Sequence, residues 1–380
     1  MMKRREFGRK VVSGAMGASL SASVARGNAW ARVPSNPRQN TLMHVGGDYH
    51  SVAGSGITSR ENLQYNLRYG IKHLTVILSK KSPDGAWDQD ELKRMKDDCD
   101  HYGVQLEAIR MDPGYINLRK GPERDRTLDA ILGNIRKASE AGVKIITYHW
   151  TVIPIQRNAR TPGRGGSTYA AFKLEDNWRD LPVGNSGEVS AEDYWERIGY
   201  FLEKVIPVAH EADVKMACHP YDPPGLPSGY RGVSNWDSPS IFAALKRYES
   251  IVDSPHNGFQ LCLGTTAEGL QDPKREILPI VQYLGERKKI HQIHMRNIRG
   301  GLHNFAEVYP DEGEMNFFQV MRILRDTQFA GSICPDHLPL HPDDPGSLQS
   351  YAFGYGYIRA VIQAVNTEVV DGNRYAGFPL

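Results

Sequence analysis

From about residue 41 onward, short apolar runs alternate with longer amphipathic segments, and this rhythm is the strongest constraint on the fold. Eight runs read as buried strands because they are short and rich in β-branched residues: 41–46, 71–77, 104–110, 143–150, 214–219, 258–265, 290–297 and 331–336. Segments 88–102, 124–141, 191–212, 238–252, 274–286, 316–327 and 349–365 carry helical spacing between them. Gly103, Gly142 and Gly331 stand where helix C-terminal caps are expected. Repeated strand–helix units predict an α/β fold, a (β/α)8 TIM barrel built as a single domain over 32–380. A doubly wound sheet fits less well, because no Gly-rich phosphate loop follows the first strand.

Two long connections follow predicted strands, at 151–188 and 220–237, which puts them on the C-terminal face where barrel enzymes build active sites. Tyr169, Phe172 and Trp178 in the first predict an ordered loop, since aromatics need a packing surface.

The 380 residues carry a net charge of +2 with both signs interspersed, which gives no basis for binding nucleic acid or an anionic membrane. No apolar run after the N-terminal segment is long enough to span a bilayer. The first residues differ: Lys3, Arg4 and Arg5 precede an apolar stretch from Val11 to about Ala25, and Ala29-Trp30-Ala31 fits a cleavage site. Arg4-Arg5-Glu6-Phe7 resembles a twin-arginine export signal. The expectation is a signal peptide over 1–31, a mature start near Arg32 and an exported, periplasmic protein. The four cysteines form no dense disulfide framework, so mostly free thiols are expected.

Four strand ends bring a residue able to ligate a metal: His219, Cys262, His294 and Asp336. In a barrel these ends ring one mouth. Strand alternation puts Gln260 on the face of Cys262 and Gln292 on that of His294, and polar groups in apolar strands are costly unless partnered. Two imidazoles, a thiolate and a carboxylate suit a borderline divalent ion such as Mn2+, Fe2+, Co2+ or Zn2+. Cys218 should point to the opposite face and Cys334 should lie one layer deeper, both as packing residues. His291 and His303 read as loop or helix-side residues outside this set.

The stretch from about Gly70 to Ala364 resembles the mannonate dehydratase family of hexuronate breakdown, whose fold is a xylose-isomerase-like barrel. The motifs are Cys218-His219-Pro220 with Asp222-Pro223-Pro224, Leu261-Cys262-Leu263-Gly264-Thr265, His294-Met295-Arg296-Asn297 followed by Phe305 and Glu307, and Pro335-Asp336-His337. The resemblance implies conversion of D-mannonate to 2-keto-3-deoxy-D-gluconate and water with Mn2+ or a similar ion. It implies metal ligation by His219, Cys262, His294 and Asp336, and proton transfer by His337 and Tyr351, with Tyr355 and Tyr357 close to the latter. The chain departs from the family pattern at Met43-His44-Val45-Gly46 and Tyr148-His149-Trp150-Thr151, both expected at the substrate end of the mouth. His149, Arg296 and Asn297 are the expected substrate contacts, Arg296 by a forked grip on a carboxylate. The rival readings are a metal-dependent sugar isomerase or epimerase, and a non-catalytic exported sugar-binding barrel. Self-association as a homo-oligomer stays open.

Overall fold

The computed structural model describes residues 43–50, 56–78, 82, 85–111, 114–234, 236–237, 239–370 and 373–374. The expected signal segment and the mature start near Arg32 lie outside the described residues. The strands, in chain order, are β1 (His44–Val45), β2 (His73–Ile77), β3 (Gln105–Arg110), β4 (Ile145–His149), β5 (Ala159–Pro162), β6 (Thr168–Lys173), β7 (Lys215–His219), β8 (Asn257–Cys262), β9 (Ile290–Met295), β10 (Asn297–Gly301), β11 (Asn304–Val308), β12 (Ser332–Pro335), β13 (Val369–Val370) and β14 (Asn373–Arg374). Eight of them form one sheet in the order β1-β12-β9-β8-β7-β4-β3-β2. Every pairing in it is parallel. A further parallel bridge between Gly47 and Leu74 joins the two outer strands and closes the sheet into a barrel. The predicted strands are these eight, within a few residues.

The helices are α1 (Arg60–Arg68), α2 (Gln89–His101), α3 (Pro122–Glu140), α4 (Ala191–Glu211), α5 (Ile241–Ile251), α6 (Leu263–Glu268), α7 (Pro273–Glu286), α8 (Phe317–Asp326) and α9 (Leu348–Thr367). Side chains of Ser59, Asp88, Ser190, Ser240, Cys262 and Asn316 cap six of their N-termini by accepting backbone N–H groups. No helix of the described residues is long and apolar enough to cross a membrane.

Three local expectations are corrected. The predicted strand 258–265 stops at Cys262, because Leu263 to Glu268 turn immediately into α6. Gly331 is not the cap of α8: Gln328 takes the left-handed conformation there, at φ 56°. A Cβ at Gly331 would stand 2.7 Å from the His291 carbonyl oxygen, so that glycine permits close packing instead. His291 is not a loop residue but a buried member of β9.

The long connection after β4 is ordered, as its aromatics predicted. Its hairpin β5–β6 pairs with the hairpin β10–β11 into a second sheet, ordered β10-β11-β6-β5. Tyr169 and Phe172 are buried, and Trp178 stacks on Tyr230 at 6.3 Å between ring centres.

Closure of the barrel depends on a small residue. Gly47 donates its N–H to the His73 carbonyl at 2.8 Å and accepts from Thr75 N–H at 2.9 Å. A Cβ there would stand 2.5 Å from both Asn66 Oδ1 and Leu74 Cδ2, and Asn66 Oδ1 already accepts the Tyr355 hydroxyl at 2.9 Å. Gly47→Ala is expected to cost about 2 kcal/mol by overpacking this seam. Urea unfolding of the variant beside the parent checks this; an unchanged midpoint would contradict it.

Candidate metal centre and active site

The four residues chosen from the strand ends converge. One ligand-type atom from each of His219, Cys262, His294 and Asp336 lies within 4.8 Å of the others. The reason is register: β8 and β9 align Cys262 with His294, and β4 and β7 align His149 with His219. Below them, Gln292 donates to Thr75 Oγ1 at 2.8 Å and to Ser332 Oγ at 2.9 Å, while Gln260 donates to Gln292. The Gln292 amide is thus partnered inside the barrel, as its cost demanded.

Hydrogen bonds set the ligand atoms. The Pro220 carbonyl oxygen lies 2.7 Å from His219 Nδ1 and can only accept, so Nδ1 carries the hydrogen and Nε2 the lone pair. Burial, then the neighbouring His294, holds the His219 imidazole down to about 3, in its neutral form. His294 Nε2 donates to Asp48 Oδ2 at 3.1 Å. Its Nδ1 has no hydrogen-bond partner and faces Asp336 Oδ1 at 3.4 Å. Cys262 Sγ accepts the Thr265 N–H at 3.3 Å and lies 3.5 Å from Asp336 Oδ2.

The donors fit a divalent cation. Burial opposes a charged His294, but Asp336 and Asp48 outweigh it and raise the group to about 10. A proton thus stands where a cation's charge would serve. Burial also raises the Cys262 thiol, against the pull of Arg296. Both groups can shed a proton to an incoming ion, and metal–ligand distances of about 2.0–2.3 Å need only small closure of the set.

Beside this cluster lies a cavity of about 310 Å³ walled by His50, Arg157, Arg160, Thr168, His337 and Tyr351 among others. His337 Nε2 is 3.8 Å and His50 Nε2 4.0 Å from Asp336 Oδ1. His337 Nδ1 is held 2.8 Å from Glu307 Oε1. Burial works against a charged His337, and Asp336 and Glu307 more than offset it, so its affinity for a proton is raised. Burial and the nearby Asp336 push the Tyr351 phenol well above its ordinary value. Burial lowers His50 to about 4. His149 caps β4 with Nδ1 2.6 Å from Thr151 Oγ1, and burial with Arg110 lowers it to about 2.

Two expected substrate contacts are corrected. Arg296 is 1% exposed, and its guanidinium is already spent on Asp222, Glu268, Glu307 and Asp336 at 2.8–3.2 Å. It shapes the site from behind. Asn297 donates to the Pro310 and Met315 carbonyls and accepts from Ile298 and Met315 N–H, so its amide is consumed in holding the loop after β11. His44 does not lie at the substrate end either: it opens β1, and the same segment reaches the upper mouth only at Asp48 and His50.

Three participants were missed in the sequence: Asp48, His50 and Arg157. Arg157 comes from the long connection and contacts Asp222, Glu268 and Glu307 at 2.8–3.0 Å. All three sit in loops without periodicity, so no sequence pattern marked them. Asp48 is the orienting partner of His294. Asp48→Asn is expected to weaken divalent-metal affinity roughly 10- to 100-fold; calorimetric titration of metal into the stripped variant and parent checks it.

Comparison with known proteins agrees with the geometry. The family model for D-mannonate dehydratase (UxuA) matches residues 182–371. A mannonate dehydratase of Streptococcus suis (strain 05ZYH33) is 28% identical over 288 residues, 66% of this chain and 74% of that protein. One from Thermotoga neapolitana (strain ATCC 49049 / DSM 4359 / NBRC 107923 / NS-E) is 29% identical over 327 residues, 74% of this chain and 87% of the relative. The crystal structure of mannonate dehydratase from Streptococcus suis serotype2 superposes with a TM-score of 0.68 at 24% identity, covering 86% of this chain and 94% of that one, and so shares its fold. With half of its length matched by the family model and its barrel shared, the chain belongs to the D-mannonate dehydratase (UxuA) family.

Proposed function

We propose that this protein is a divalent-metal-dependent hydro-lyase that removes water from a sugar acid of the D-mannonate type, giving 2-keto-3-deoxy-D-gluconate. The observation that carries the reading is the convergence of His219, Cys262, His294 and Asp336 beside a cavity walled by His337 and Tyr351. Mn2+ is the proposed ion. Family membership supports a metal-dependent lyase.

Dehydration needs a base for the proton beside the carboxylate and an acid for the departing hydroxyl. A bound divalent cation would supply Lewis acidity toward the substrate oxygens, and its charge would keep the neighbouring His337 unprotonated. Tyr351 is a phenol at every ordinary pH, so it starts turnover as a hydrogen-bond donor and delivers a proton to the leaving oxygen. That leaves His337 to take the proton from carbon. Nδ1 is held 2.8 Å from both Glu307 Oε1 and Arg296 Nη1, which fixes the ring and turns Nε2 toward the reacting centre. Burial weakens His337 as a base, but the pull of Asp336 and Glu307 outweighs it and raises its affinity for a proton, which suits this role.

With Arg296 committed elsewhere, Arg110 at the end of β3 is the proposed grip on the substrate carboxylate. Its Nη1 is buried without a hydrogen-bond partner among the described residues, and its charge acts on both His149 and His219. Its guanidinium lies 4.8 Å over the Tyr49 ring, which fixes its direction. The Arg4-Arg5 start and the apolar run after it support export through the twin-arginine route, with the working enzyme beginning near Arg32 in the periplasm.

Incubation of the purified protein with D-mannonate and Mn2+, followed by assay for a 2-keto-3-deoxy acid, tests the reading; conversion of an aldose to a ketose without such an acid would sink it in favour of an isomerase. His337→Ala and Tyr351→Phe are each expected to lower kcat by about 10²- to 10⁴-fold. Arg110→Met should instead raise KM roughly 10- to 100-fold through loss of a charge-assisted contact. Steady-state kinetics on the three variants separates these effects.

A further inference from the structure

We propose a second divalent-cation site at the opposite, N-terminal mouth of the barrel, formed by His44, His73 and Glu107. Ligand-type atoms of these three residues lie within 4.8 Å of one another. His44 Nε2 and His73 Nδ1 each lie 2.8 Å from the same oxygen, Glu107 Oε2. The two imidazoles face each other with ring centres 3.8 Å apart.

The backbone aims these groups together. His73 opens β2 and, by strand alternation, shares the inward face of Thr75, which meets Gln292 inside the barrel. A Cβ at Gly46 would touch Ser332 and Cys334, so that face of β1 also points inward, and His44 is on it. Glu107 occupies a bulge: Leu74 opposes Leu106 while Thr75 opposes Ala108, which leaves Glu107 as the extra residue on β3. Bulges at barrel rims re-aim a side chain, and this one points a carboxylate at the two histidines.

The chemistry is that of a cation site. Burial would raise Glu107, but its contacts with His44 and then His73 hold it well below the usual carboxylate range, so it is a fixed anion. His73 Nδ1 is shielded from solvent and close to Oε2, yet off the line of a hydrogen bond. With its hydrogen on Nε2, His73 would turn the Nδ1 lone pair to a positive ion held between the three donors. Two imidazoles and one carboxylate suit a borderline ion such as Zn2+, with a fourth position for water. Tetrahedral ligands about an ion stand about 3.4 Å apart, so the 2.8 Å contacts need to open only slightly. Solvent can enter, because the side chains of His44, His73 and Glu107 are 20%, 36% and 12% exposed. The ion would staple β1, β2 and β3 beside the Gly47–Leu74 seam, remote from the upper site in function as well as place.

The test is metal stoichiometry on the full chain, stripped with a chelator and equilibrated with Zn2+. The parent should hold two zinc ions per chain. His73→Asn and Glu107→Gln should each hold one, Cys262→Ala one, and His73→Asn combined with Cys262→Ala none. A parent that saturates at one zinc, undiminished in His73→Asn, overturns this proposal and leaves the upper site intact. One zinc lost in His73→Asn but kept in Cys262→Ala would overturn the upper site instead. Co2+ titration of the parent gives a reading free of any folding defect: one equivalent should bring a sulfur-to-cobalt charge-transfer band, and a second should add visible absorption without it. Saturation after the thiolate-bound equivalent alone refutes the lower site.

Discussion

The site depends on a guanidinium that cannot lose its charge. Arg296 is buried at the end of β9, and four carboxylates from four different segments approach it within 2.8–3.2 Å. Arg157 adds a second positive charge to the same group. Two buried cations among Asp222, Glu268, Glu307 and Asp336 would leave excess negative charge, and the structure relieves it by raising Glu268. Burial, opposed by Arg157 but helped by Asp222, pushes that carboxyl well above its ordinary value. Asp222 and Glu307 stay ionised despite burial because of the arginines and His337. Removing a partner from such a group strands a buried charge, which explains why these side chains are so tightly spent on each other.

This network also connects the two sheets. Arg157 belongs to the long connection after β4, Glu307 to β11, and both meet Arg296 at the barrel rim. The small sheet is therefore tied to the mouth by ion pairs as well as by its own hydrogen bonds. Glu307 holds His337 from that sheet, so the roof of the cavity orients a group in its wall. Gly264 in α6 makes room for the arrangement: a Cβ there would collide with the Arg296 side chain. A residue that binds the roof to the rim cannot also release its charge to a substrate, which is why Arg110, whose Nη1 has no hydrogen-bond partner among the described residues, is proposed in its place.

Most of the barrel was legible because parallel strands are buried on both faces and read as short apolar runs. The strand ends were legible too, since His219, Cys262, His294 and Asp336 interrupt those runs. What the pattern could not show were elements without periodicity. The roof hairpins are short and polar, α1 has little apolar content, and α6 begins directly where a strand stops. Arg296 and Asn297 were placed correctly at a strand end but assigned to substrate, because a sequence does not reveal how many partners a charge already has.

Local order alone determined that this chain forms eight strand–helix units and that residues able to ligate a metal stand at their C-terminal ends, because periodicity and burial follow from the side chains in each segment. Only the tertiary structure decided which nitrogens of His219 and His294 face the centre, which arginine is committed, and that Asp48, His50 and Arg157 border the site. It also brought His44, His73 and Glu107 to a common point at the other mouth. These facts depend on closing the sheet, which unites residues from distant segments, and closure rests on the contact of Gly47 with Leu74 across a seam that no local pattern records.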